Sequence, residues 1–148
     1  MNAAQWHEAL LIGYAAASVF VFVVLQFVTK AAYGKHKGEK PGWWWGPGVP
    51  TRGSWIVMEA PSSVGFALIY FTGARAFDAA PLVLLLMWQA HYFQRSFVYP
   101  FIRSVRPGDT TPLLVPVMAF STNIGISFLN AAILSWPQIR ADYGASWL

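Results

Sequence analysis

The chain has no cysteine, which excludes disulfides and thiolate metal sites and leaves its redox compartment unmarked. It has little charge: 11% of its 148 residues are Asp, Glu, Lys or Arg, where soluble domains carry roughly 25%. It has no glycine-rich phosphate loop of the usual soluble kinds. Its apolar segments hold no second histidine at metal-ligand spacing, so no metal site is expected. No internal repeat stands out. The net charge of +4 does not point to nucleic acid, because the basic residues cluster in loops between apolar runs.

What is present is apolar and aromatic: 56% hydrophobic residues, with eight Trp and eleven Phe. Four segments, 9–28, 55–72, 79–102 and 110–136, are predicted to cross a bilayer. The expected fold is an all-α integral membrane protein, a bundle of four transmembrane helices forming a single domain over residues 1–148. Pro61 and Glu59 interrupt the second segment, and Pro112, Pro116 and Gly125 punctuate the fourth. Prolines are tolerated in spanning helices where neighbours satisfy the freed carbonyls. The first segment does not read as a signal peptide, because its N-terminal flank lacks Lys and Arg and contains Glu8.

Lysine and arginine counts orient the chain. The first loop holds Lys30, Lys35, Lys37, Lys40 and Arg52, and the third holds Arg103 and Arg106, while the other side holds Arg75 and Arg140. Loops one and three are therefore expected in the cytoplasm, with both termini outside or in the lumen. A bacterial inner membrane and the endoplasmic reticulum both fit. The loop sequence Pro41-Gly42-Trp43-Trp44-Trp45-Gly46-Pro47-Gly48 cannot form a regular helix, and its tryptophans suit a membrane interface.

The third segment carries chemistry. At helical spacing Trp88, Tyr92, Arg95 and Tyr99 share one face, with His91 beside them. Ionisable groups at membrane depth are costly and mark a site by default. Glu59 is the one carboxylate well inside an apolar segment, and burial raises its pKa unless a cation pairs with it. A protonated Glu59 and Tyr92 could donate to one carbonyl oxygen and stabilise an enolate there. Alternatively, Glu59 pairs with Arg95 or His91 and holds the second and third spans together. Arg95 has two matching roles, that pairing or the binding of an anionic ligand.

Several motifs occur in a telling order: Tyr33-Gly34-Lys35-His36, then Trp55-Ile56-Val57-Met58-Glu59-Ala60-Pro61-Ser62, then His91-Tyr92-Phe93-Gln94-Arg95-Ser96-Phe97-Val98-Tyr99-Pro100, then Arg106-Pro107. With Ala119-Phe120-Ser121-Thr122-Asn123 in the fourth segment, the run resembles the N-terminal half of the membrane steroid 5-alpha-reductases, the 3-oxo-5-alpha-steroid 4-dehydrogenases. The resemblance covers roughly residues 30 to 140.

That resemblance implies a seven-span enzyme that reduces the C=C bond of a 3-oxo-Δ4-steroid or similar apolar enone with NADPH. It implies Glu59 and Tyr92 on the carbonyl oxygen, and Trp55, Met58 and Phe120 around the substrate. It implies Arg95, Tyr99 and Arg106 near the cofactor. Met58 replaces a glutamine usual in the steroid enzymes, and Pro116 stands where an arginine is frequent, so a less polar cavity is expected. The family's cofactor-binding C-terminal half would begin about where the chain stops at Leu148, so a separately encoded half is an expected partner beside the bilayer and the enone. The competing expectation is a non-catalytic four-span protein or partner subunit that binds a sterol or other lipid.

Overall fold

The computed structural model of the chain describes residues 2–28 and 42–139. Lys30, Lys35, Lys37, Lys40, the Tyr33 to His36 motif and Arg140 lie outside the described residues.

The described residues are mostly helical. The first helix, α1, runs Ala3–Phe27. It begins before the apolar segment because Asn2 caps it, accepting from the Gln5 backbone N–H, while the Gln5 side chain takes the Asn2 N–H. This helix is apolar on all sides, with Val19, Phe20, Phe22 and Phe27 exposed.

The second helical run is interrupted. It consists of α2 (Thr51–Ala60), a π-helical turn (Pro61–Gly65) and α3 (Phe66–Tyr70). The third repeats the pattern with α4 (Ala79–Phe93), a π-helical turn (Gln94–Val98) and α5 (Tyr99–Ile102). The fourth is an unbroken helix, α6, Leu114–Ser135. Among the described residues, α1 and α6 are single helices long and apolar enough to cross a membrane.

The expectation of an all-α chain needs one correction. Gly48–Pro50 (β1) and Thr110–Pro112 (β2) pair antiparallel, Val49 opposite Thr111. The fourth helix therefore starts at Leu114 rather than at residue 110. Pro50 and Pro112 cannot donate within a helix, and the two threonines suit an extended chain. The pairing continues beyond the strands, as Leu113 N–H donates to Pro47 O at 2.9 Å and Thr51 N–H to Asp109 O at 3.0 Å.

Two local features lock the helices to one another. Pro61 has no N–H for the carbonyl four residues back, and the π turn loosens the helix further. Side chains from the neighbouring helices answer this disruption. Ser96 donates to Glu59 O (3.0 Å), Ser127 to Pro61 O (3.0 Å), Trp88 to Ser62 O (2.6 Å) and Gln89 to Ser63 O (2.9 Å). Elsewhere α1 closes on α6 at Gly125, where any Cβ would overlap the Tyr14 ring. Tyr14 then donates to Ser121 O at 2.9 Å, and the buried His7 meets Leu129 O at 2.9 Å.

Candidate active site

A cavity of about 460 Å³ opens where α2, α4 and α6 converge. Glu59, in the last turn of α2, projects into it, and its side chain is only 7% exposed. The backbone beneath it is fixed, since Ser96 holds Glu59 O and Asn123 Nδ2 holds Met58 O. A carboxylate buried this deeply requires a cation. Arg95, from the π turn after α4, supplies it, with Nη2 2.8 Å from Glu59 Oε1. The pairing that the sequence left as one of two alternatives is thus present. Glu59 is an acceptor in this arrangement.

Tyr92 lies less than one turn before Arg95 and lines the same cavity. Its ring packs on Trp88 (centroids 4.6 Å apart) and takes the edge of His91 at 4.9 Å. The Tyr92 hydroxyl has no hydrogen-bond partner among the described residues. It is a donor free to meet a ligand oxygen, beside a carboxyl–guanidinium pair. That combination can bind and polarise a carbonyl group.

The residues singled out in the sequence do not all gather here. Met58, Glu59, Tyr92 and Arg95 line one cavity. Trp55 does not reach it: its ring is 6% exposed and lies under the guanidiniums of Arg95 and Arg103, at 5.2 and 5.1 Å. Tyr99 meets the same indole edge-on, 5.3 Å away. Phe120 and Pro116 line a separate apolar pocket on the other side of the α2–α6 contact. Arg106 is exposed in the turn before β2, where its backbone N–H donates to Asp109 at 3.3 Å.

Trp45 and Asn123 were not picked out as site residues from sequence, yet both line the cavity. The sequence alone predicts Trp43 and Trp45 alike as interfacial anchors. Trp43 is 93% exposed and fits that reading, whereas Trp45 is 3% exposed. A 3-10 turn (Trp43–Trp45) separates them, and Gly46, at φ 77°, turns the chain out of it. No local pattern distinguishes the two indoles. For Asn123 a signal existed: Ser121-Thr122-Asn123 is a polar run inside an apolar segment.

A dinucleotide fits the described residues poorly. The cavity carries one guanidinium, and Glu59 already holds it. Tyr99 and Arg106 stand elsewhere, and no helix here begins with a glycine-rich phosphate loop. These residues do not by themselves form a site for NADPH.

No protein-family model matches the chain. Among curated proteins, the steroid 5-alpha-reductase DET2 of Arabidopsis thaliana is 32% identical over 125 residues, covering 82% of this chain and 45% of that protein. The 3-oxo-5-alpha-steroid 4-dehydrogenase 1 of Bos taurus is 32% identical over 147 residues, 95% of this chain and 52% of its own. The enzyme of the same name from Mus musculus is 36% identical over 123 residues, 82% and 46%. The chain spans about half the length of the curated relatives it matches. Its homologues over most of its own length are therefore the steroid 5-alpha-reductases, also named 3-oxo-5-alpha-steroid 4-dehydrogenases.

Proposed function

We propose that the chain forms the enone-binding part of a membrane oxidoreductase of the steroid 5-alpha-reductase type. The observation that carries this reading is that Glu59 and Tyr92, from different helices, line one cavity. The substrate class is a 3-oxo-Δ4-steroid or a similar apolar enone, drawn from the bilayer in which all four helical runs are embedded. Loops one and three face the cytoplasm.

The chemistry asked of these residues is electrophilic. Reduction at the β-carbon drives negative charge onto the carbonyl oxygen, and donors aimed at that oxygen lower the barrier. Tyr92 is the donor at hand. Glu59 is the second donor when its other carboxyl oxygen carries a proton, while Oε1 still accepts from Arg95. Met58 and Trp45 are themselves buried and give the cavity part of its apolar wall. NADPH would supply the hydride, and the described residues do not by themselves hold it.

A second reading is favoured by the poor fit of a dinucleotide. On that reading the chain is a non-catalytic membrane protein or partner subunit that binds a sterol or related lipid. Glu59→Leu and Tyr92→Phe, made in a catalytically active assembly containing the chain, test the electrophilic pair. Each is expected to cut turnover by about 10²-fold or more, as for loss of an oxyanion donor. Near-normal rates in both would sink the assignment.

A further inference from the structure

Trp55 is buried beside the cavity yet is not part of its wall. Its neighbours are unusual for a core indole: two guanidiniums lie over it, and one belongs to the arginine that pairs with Glu59. Arg95 is long, and its side chain is 42% exposed, so fixing it in one geometry costs conformational entropy. An indole face offsets that cost, because tryptophan is the strongest cation–π partner among the side chains. The indole is itself pinned, edge-on to Tyr99 and locked in the interior.

We infer that Trp55 is a positioning residue that acts through Arg95: its face holds the guanidinium against Glu59 and so sets how the Glu59 carboxyl is presented to the cavity. The consequence for ligand binding rests on the enone-site reading above; the platform itself does not. Trp55 touches no ligand on this view. Its influence passes along Trp55, Arg95 and Glu59, two contacts of 5.2 and 2.8 Å. Arg103 shares the indole without pairing to Glu59, which makes it the internal control.

Two measurements test this, and the first needs no ligand. In the purified chain, the Arg95 side-chain N–H resonances, assigned by their loss in Arg95→Lys, should be ring-current shifted and slow to exchange. Both features should vanish in Trp55→Leu, survive in Trp55→Phe and survive in Arg103→Gln. Arg95 resonances unchanged in Trp55→Leu would overturn the inference. If Trp55→Leu does not fold, Trp55→Met takes its place, with the same expected loss.

The second is a double-mutant cycle on the binding of a 3-oxo-Δ4 steroid, progesterone, by equilibrium dialysis. Trp55→Leu should weaken binding about tenfold in the parent but less than about twofold in an Arg95→Gln background. Equal weakening in both backgrounds means that Trp55 touches the ligand directly and overturns the inference. Absence of progesterone binding in the parent counts against the enone-site reading alone, and the resonances then decide the platform.

Discussion

Two pockets lie on opposite sides of the contact between α2 and α6, and they differ in chemistry although the same two helices build them. One holds Glu59, Tyr92 and Arg95. The other, of about 380 Å³, is walled by residues such as Val57, Pro116, Val117 and Phe120, with no charged side chain. Neighbouring positions on one helix fall on opposite sides: Val57 against Met58 and Glu59, Val117 against Met118 and Ala119. What separates them is the third helical run. It packs on one side only and brings a hydroxyl, an imidazole and a guanidinium. A carboxyl is tolerable where that cation reaches it, and the side that α4 does not cover stays apolar.

The largest expected effect separates the pockets by function. In an active assembly Tyr92→Phe should lower turnover about 10²-fold, whereas Phe120→Ala should change it less than about tenfold. Comparable losses from both would erase the distinction between them. Next is the ion pair that makes one side polar. Arg95→Gln should cost between the ~0–1 kcal/mol of exposed pairs and the ~3–5 kcal/mol of buried ones, since Glu59 is buried and Arg95 is partly exposed. Chemical unfolding in detergent measures this, and Val57→Ala on the apolar side provides the comparison.

A smaller effect concerns α1, which contributes Leu25 to the polar cavity. Gly125→Ala places a methyl group in the Tyr14 ring and should cost about 1–3 kcal/mol, read as a lowered unfolding midpoint. Smallest is Ser127→Ala, which removes one donor from the carbonyls around Pro61. A loss of about 1 kcal/mol is expected in the same assay.

The third helical run was legible almost to the residue, since 79–102 is bounded by Asp78 and Arg103 and is apolar throughout its first half. Its internal π turn was not, although Pro100, two residues beyond it, lacks the N–H that would meet Ser96 O in a regular helix. The start of the fourth run was also misread. Thr110 and Thr111 are apolar enough to extend a span, and only their partner strand more than fifty positions earlier makes them extended. Glu59 and Tyr92 stood out because a carboxyl and a hydroxyl among apolar residues are chemically conspicuous. Trp45 did not, since its place in a cavity with residues of helices distant in sequence leaves no local pattern. Whether Glu59 pairs with a cation was undetermined by spacing, because it depends on the register of one helical run against another.

The most direct test is the carbonyl stretch of a ketone in the polar cavity, read by isotope-edited difference infrared spectroscopy with progesterone labelled at its C3 carbonyl. The band should fall to lower frequency on binding and return most of the way toward its apolar-solvent position in Tyr92→Phe, while Phe120→Ala leaves it in place. A bound steroid whose band does not shift, or shifts equally in the parent and Tyr92→Phe, would contradict the claim that Tyr92 polarises the carbonyl.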